Sequence, residues 1–145
     1  MIRQVSVFIQ NRQGKLESVL KALRDADVNI RSLHIAETAD YGIVRLILQD
    51  TEKGLAALKE AGVMANINHV LAAEVPDKPG GLCHIVEALG KADINILYAY
   101  SFNPQNTSNA IIILKLIDDD SEKAIDILEA ENAINLLDRQ ELLKK

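Results

Sequence analysis

The chain has 145 residues, of which 48% are hydrophobic and 26% charged, and its formal net charge is −5. This composition is typical of a folded globular protein and excludes a disordered or collagen-like chain. An acidic chain lacks the positive surface potential that attracts a phosphate backbone, so we expect no nucleic-acid partner. The longest apolar run, residues 110–114, is far too short for a membrane span, so we expect no membrane partner.

The first half of the chain predicts the order strand, helix, strand, strand, helix, strand. Short β-branched or apolar segments predict strands at residues 4–10, 28–37, 42–49 and 63–66. The first helix is indicated by apolar residues at the spacing i, i+3, i+4, i+7, namely Leu16, Val19, Leu20 and Leu23. Asp50 or Thr51 is a capping residue for the second helix.

The second half predicts the same order. Strands are expected at residues 70–75, 94–103, 110–117 and 133–137. The helical spacing recurs at Leu82, Ile85, Val86 and Leu89, and Asp120 or Ser121 is placed to cap a second helix. A shift of 66 residues aligns the first strand, helix and strand of the two halves, and a shift of 70 aligns the later elements. We therefore expect two homologous units, residues 1–68 and 69–145.

This order of elements predicts an α+β fold, with two ferredoxin-like βαββαβ units whose antiparallel sheets pack side by side. A unit of about seventy residues is marginal alone, and its sheet has open edges that need a partner. Pairing the units within the chain leaves one edge on each sheet, so we also expect a homodimer. Small ligands tend to bind in clefts between such units.

Two segments carry a resemblance to a known family. Residues 75–82 read Val-Pro-Asp-Lys-Pro-Gly-Gly-Leu, and residues 92–96 read Ala-Asp-Ile-Asn-Ile. Together they resemble the ACT domain family of amino-acid-sensing regulatory modules. The first half is similar at residues 11–16 and 27–30, although Gln13 stands where the second half has Pro79. The resemblance is present once in each half and so covers nearly the whole chain. It implies a stand-alone tandem ACT-domain protein.

The resemblance implies an effector site where the loop after the first strand of one unit meets the second strand of a neighbouring unit. It places ligand-binding residues in both halves: Asn11, Gly14, Leu16, Asn29 and Ile30, and Asp77, Gly80, Gly81, Leu82, Asn95 and Ile96. The unpaired N–H groups at a helix start suit an amino acid's carboxylate, and Asn or Asp oxygens suit its ammonium. Other interpretations remain open: the glycines as turn residues, the asparagines as residues bonding their own backbone, and Asp77 as a solvated turn.

Three of the five aromatic residues alternate along one predicted strand, at Tyr98, Tyr100 and Phe102. This face is either packed in a core or interface, the interpretation we favour, or the wall of a ligand pocket.

Other chemistry is poorly supported by the sequence. Cys83 and His84 are neighbours on a helix and point in different directions, so we expect a packing cysteine beside a surface histidine. We expect no metal site and no cofactor, since the histidines have no paired spacing with Cys or Asp. RNA-recognition modules share the topology, but they need stacking aromatics and a basic surface.

The sequence thus favours a non-enzymatic regulatory protein that senses a free amino acid between its units and signals to a partner, such as a regulated enzyme or a transcription factor. The alternatives are a ligand-free assembly module and a small enzyme that uses Cys83. The single cysteine cannot form an internal disulfide, which fits a cytoplasmic location.

Overall fold

A computed structural model describes residues 1–145. The chain divides into two compact units. The N-terminal unit comprises Arg3–Asn68, and the C-terminal unit comprises His69–Lys145 together with Met1–Ile2. None of the helices has the length and apolar character needed to cross a lipid bilayer.

The N-terminal unit follows the predicted βαββαβ order. Its elements are β1 (Ile2–Gln10), α1 (Lys15–Asp25), β2 (Ile30–Glu37), β3 (Tyr41–Leu48), α2 (Thr51–Glu60) and the first part of β4 (Ala65–Val75). The strand order is β2-β3-β1-β4. The antiparallel register places Val7 opposite Val44, and Leu33 opposite Leu46.

One face of this sheet packs against both helices. Alternate residues of β1 and β3 point to that face, because side chains alternate along a strand. They form a buried cluster with α1 and α2 that includes Val7, Leu46, Val19, Leu23 and Leu58. Burial of this cluster removes apolar side chains from water and orients α1 over the sheet.

The C-terminal unit repeats the topology. It contains the rest of β4, α3 (Gly81–Gly90), β5 (Ile96–Phe102), β6 (Ala110–Leu116), α4 (Ser121–Glu129), β7 (Asn135–Leu137) and α5 (Arg139–Lys144). The strand order is β7-β4-β6-β5. The helix-side cluster includes Ala73, Ile85, Leu89, Leu114 and Leu128. Two ferredoxin-like α+β units are therefore confirmed.

Buried side chains also lie on the opposite face of this second sheet. Ile111 and Ile113 alternate with the residues of the helix-side cluster, and they pair with Phe102 and Tyr100. Phe102 is 1% exposed and Tyr100 is 8% exposed. Tyr98, opposite Lys115, is only half-buried. The aromatic strand face therefore contains buried packing residues on the side away from α3 and α4.

The two second helices begin differently. Asp50 caps α2, and its carboxylate accepts a hydrogen bond of 3.0 Å from the Lys53 backbone N–H. Neither Asp120 nor Ser121 caps α4 with its side chain in this way, because a 3₁₀ turn at Asp118–Asp120 leads directly into the helix. The prediction of a cap here was wrong.

Three further features differ from the prediction. The expected strand at residues 70–75 and the last two residues of the expected strand at 63–66 belong to one continuous strand, β4. The helix α5 was not predicted, although Asp138 and Glu141 form a capping box with reciprocal hydrogen bonds of 2.9 and 2.8 Å. Cys83 is exposed, so the expectation of a packing cysteine was wrong.

Candidate functional site

The loop after β1 is held by hydrogen bonds to other residues of the N-terminal unit. The Asn11 backbone N–H donates to the Asp40 carbonyl at 2.9 Å, and its side-chain amide donates to the Thr38 carbonyl at 3.1 Å and to Glu37 Oε2 at 3.5 Å. The short connection between β2 and β3 therefore occupies the donors of Asn11. Gly14 begins α1 with a left-handed backbone (φ 85°).

The equivalent loop after β4 is organised by its own backbone. The Lys78 N–H donates to the Pro76 carbonyl at 2.9 Å, and the Gly81 N–H donates to the Lys78 carbonyl at 3.1 Å. The first helical bond of α3 runs from the His84 N–H to the Gly80 carbonyl at 2.9 Å. The N–H groups of Leu82 and Cys83 therefore lack an intrahelical acceptor, and no side chain caps this helix start.

The glycines of this second loop have different roles. Gly80 has a left-handed backbone (φ 92°), and a Cβ atom added there would contact nothing within 4 Å. A Cβ atom on Gly81 would lie 2.7 Å from the Pro76 carbonyl oxygen. Gly80 is needed for its backbone angle, and Gly81 is needed for the close approach of the helix start to the loop.

A cavity of about 270 Å³ opens beside this loop and lies entirely within the C-terminal unit. Its volume is slightly below the ~300 to 1,000 Å³ usual for drug-sized ligands, so a smaller ligand suits it. Its lining residues are Val75, Pro76, Lys78, Pro79, Gly80, Gly81, His84 and Ala133.

His84 lines this cavity and lies beside the Glu131 carboxylate, a contact that the N-terminal unit lacks. His84 Nε2 lies 3.0 Å from Glu131 Oε2, and both side chains are partly exposed. The aligned positions in the first half are Ser18 and Ala61. Ser18 instead donates its hydroxyl to the Gly14 carbonyl at 2.9 Å. The two loops are therefore alike in backbone conformation and different in side-chain chemistry.

The predicted residues on the second strands lie away from the loops of their own units. Asn29 precedes β2, and its carbonyl accepts a hydrogen bond of 2.9 Å from the Gln49 N–H. The helix α1, which runs between Gly14 and Asn29 along the chain, has 11 residues and is therefore about 16 Å long. No hydrogen bond joins Asn29 or Asn95 to the loop of its own unit among those that the structure gives.

The predicted site residues also differ in exposure. Asn29, Asn95 and Asp77 are exposed. Leu82 is 48% exposed. By contrast, Leu16, Ile30 and Ile96 pack against the helix-side clusters of their units. The left-handed exit from the first helix of each unit is made by Asp27 and Asp93, with φ angles of 54° and 60°.

Sequence reasoning missed one buried charged residue in the C-terminal unit. Glu74 is 5% exposed and lies on the sheet face away from the helix-side cluster. Burial alone would raise the pKa of Glu74, but hydrogen bonds from Asn135, Asn109, Lys145 and Thr107 outweigh that effect and lower it. The signal in the sequence was a glutamate among apolar strand residues, at residues 70–75.

Comparison of the whole chain with models of known protein families identifies its family. A family model described as an ACT domain pair matches residues 1–145. The chain belongs to this family. The ACT domain pair has no group of three or more His, Cys, Asp and Glu side chains arranged to hold a metal ion.

Solved structures similar to this ACT domain pair include one of high overall similarity. Protein BT0572 from Bacteroides thetaiotaomicron is 33% identical, with 99% of this chain and 96% of that chain covered and a TM-score of 0.88. The ligand-free regulatory subunit of aspartate kinase from Thermus thermophilus is 15% identical, with 86% and 88% covered and a TM-score of 0.59. Aspartate kinase from Clostridium acetobutylicum is 18% identical, with 92% and 33% covered and a TM-score of 0.55. The two kinase structures share the fold with this chain. No curated protein sequence matches it.

Proposed function

We propose that this ACT domain pair is a non-enzymatic regulator that binds a free amino acid at the loop of residues 76–81 and the first turn of α3. The observation that carries the proposal is the cavity beside this loop, which is lined by Lys78, Gly80, Gly81 and His84 at the uncapped start of α3. The proposal treats residues 1–68 and 69–145 as the two ACT units.

The carboxylate of an amino acid matches the positive groups around this cavity. The N–H groups of Leu82 and Cys83 lie at the positive end of the α3 dipole, and Lys78 adds a full positive charge. Gly80 and Gly81 have no side chain to block the approach of an anion to the backbone. The exposed Asp77 carboxylate is a candidate partner for the ammonium group.

The N-terminal loop is the weaker candidate, with Asn11, Gly14, Leu16, Asn29 and Ile30 as its proposed contacts. Its asparagine donors are occupied by the β2–β3 connection, and the positions aligned with His84 and Glu131 are Ser18 and Ala61, which form no such contact. We propose that the C-terminal loop is the working site. In a homodimer, Asn95 and Ile96 reach a loop of a second copy of the chain.

The proposed regulatory role is the transfer of a change in packing to a partner, such as an enzyme or a transcription factor, in the cytoplasm. Effector and partner would then both bind more tightly to the same conformation of the protein, with a coupling free energy of about 1 to 3 kcal/mol between the two binding events. Support comes from the family and from the fold shared with the regulatory subunit of aspartate kinase.

A thermal-shift screen against the proteinogenic amino acids tests the proposal. A ligand at 100 times its Kd adds about 2.7 kcal/mol of stability, which raises Tm by roughly 5 to 10 °C for a chain of this length. We expect one or two amino acids to produce this shift. A flat screen with a working positive control contradicts the sensor function.

A matched pair of variants then identifies the loop. Lys78→Gln and Arg12→Gln remove one positive charge from aligned positions in the two loops. We expect Lys78→Gln to weaken effector binding roughly 5-fold or more, because it removes a charged hydrogen-bond donor, and Arg12→Gln to leave it unchanged. The opposite result in calorimetric titrations would place the site in the N-terminal loop.

A ligand-free assembly module is the second candidate, favoured by exposed apolar side chains. Leu82 and Val86 are 48% and 46% exposed on one side of α3, and Leu97 is 51% exposed on β5. Such residues are typical of surfaces that bind another protein. A flat amino-acid screen together with a stable dimer by light scattering would support this candidate over the sensor.

A further inference from the structure

Glu74 is the centre of a polar cluster on the second sheet, on the face opposite the helix-side core. Its Oε1 accepts hydrogen bonds from Thr107 Oγ1 at 3.1 Å and from Asn109 Nδ2 at 3.3 Å. Its Oε2 accepts a hydrogen bond of 3.2 Å from Asn135 Nδ2 and lies 3.3 Å from Lys145 Nζ. Two amides and a hydroxyl thus fix both oxygens of a carboxylate that is 5% exposed.

Lys145 is held in this cluster by its backbone as well as by its charge. The Gln105 and Asn106 N–H groups donate to the Lys145 backbone oxygen, and Asn106 Nδ2 donates to the Lys144 carbonyl at 2.6 Å. The loop that carries Thr107 and Asn109 therefore also holds the end of α5. The Lys145 side chain remains 28% exposed, so this end of the cluster is open to solvent in part.

The donor and acceptor pattern selects the kind of cation that fits. The three neutral neighbours donate to Glu74, so they use lone pairs of its oxygens that a metal ion would require. A cation with N–H donors needs only the remaining lone pair of Oε2. Without such a cation the negative charge of the carboxylate would be balanced by neutral donors alone, at a cost in stability.

We propose a binding site for a primary alkylammonium group, which the chain itself fills with Lys145 and whose lining side chains are Glu74, Thr107, Asn109 and Asn135. A small primary amine that enters this site displaces the Lys145 ammonium and releases the end of the Arg139–Lys145 segment. The site lies on the sheet face away from α3, so it is independent of the proposed amino-acid site.

Chemical rescue in the full chain tests the proposal. Lys145→Ala removes the ammonium group and most of the aliphatic stem, and we expect its Tm to fall. Butylammonium chloride, which resembles the lost side chain, should restore at least half of that loss in a saturable way. Tetramethylammonium chloride at the same ionic strength should restore nothing, because it has no N–H donor.

Two control variants separate a built site from a general salt effect. Lys144→Ala removes the neighbouring exposed lysine and should show no rescue. The double variant Glu74→Gln/Lys145→Ala should lose the rescue, because the charged acceptor is gone. Equal Tm of Lys145→Ala in butylammonium and tetramethylammonium, or full rescue of the double variant, would overturn the proposal.

A measurement on the unaltered chain covers the case in which Lys145→Ala does not fold. Butylammonium should accelerate amide hydrogen exchange in residues 139–145, and tetramethylammonium should not. Exchange that is identical in the two salts, at concentrations up to the highest that keeps the chain folded, would show that Lys145 is a structural ion-pair partner only.

Discussion

Glycines at the start of the first helices show how one residue type meets two physical needs. Gly14 and Gly80 have positive φ angles and open space around the missing side chain, so only the backbone conformation requires glycine there. Gly81 has an ordinary φ angle, but the Pro76 carbonyl lies where its Cβ would be. A repeat in the sequence reveals the first need and cannot reveal the second, because the second depends on a distance in space.

A comparison of two glycines of α3 tests this difference. Gly81→Ala should destabilise the chain, because its Cβ would lie 2.7 Å from a backbone oxygen that cannot rotate away. Gly90→Ala, at the last position of the same helix, has nothing within 4 Å and should stabilise it by about 0.5 to 1 kcal/mol. Denaturant unfolding measures both free energies. Equal effects of the two substitutions would contradict the close-approach argument.

At the scale of elements, α5 depends on its surroundings for stability. A helix of six residues is far below the ~12 to 15 residues that an isolated helix needs in water. The capping box of Asp138 and Glu141 satisfies N–H groups at its start, and Leu142 is fully buried. The 2.6 Å hydrogen bond from Asn106 to the Lys144 carbonyl holds its end.

Truncation of the buried side chain of α5 should therefore weaken the C-terminal unit. Leu142→Ala should lower the free energy of unfolding by about 2 to 5 kcal/mol, because it removes a fully buried side chain. Gln140→Ala, an exposed position of the same helix, is the control and should change it by less than about 0.5 kcal/mol. A small effect of Leu142→Ala would show that α5 is not packed as described.

At the scale of the whole molecule, the two units share a topology and differ in their polar groups. The N-terminal unit uses Asn11 to join its first loop to the β2–β3 connection. In the C-terminal unit the longer β5–β6 connection instead holds α5 and Glu74. The buried Glu74 carboxylate makes the stability of the chain depend on pH.

The direction of this pH dependence follows from the lowered pKa of Glu74. Its folded-state pKa is below the usual 4.5, so its stabilisation is complete above about pH 4.5 and is lost as the pH falls through the folded-state value. Glu74→Gln should lower the free energy of unfolding by about 1.5 to 3 kcal/mol at pH 7, and the difference from the parent should shrink in acid. Urea unfolding from pH 7 down to pH 3 measures this.

The exposed Glu60 provides the control for that measurement, since Glu60→Gln should leave the pH profile unchanged. A constant difference between Glu74→Gln and the parent at every pH would mean that the ionisation of Glu74 does not contribute.

The order of elements and the duplication were determined by the sequence alone, because they depend on local patterns. Helical spacing at Leu16 to Leu23 and its repetition at Leu82 to Leu89 require no knowledge of distant contacts. The Asp-Lys-Pro-Gly-Gly loop predicted the family for the same reason, because the residues of the turn and of the helix start are consecutive in the sequence. Asp50 was predictable as a cap because its partner, Lys53, is three residues away.

Only the tertiary structure decided which polar groups meet. The partners of Glu74 are 33, 35, 61 and 71 positions away along the chain, at Thr107, Asn109, Asn135 and Lys145. His84 and Glu131 are 47 positions apart and lie 3.0 Å from each other. The free energy of burying a charge depends on all the groups around it, and a single sequence does not state which groups those are.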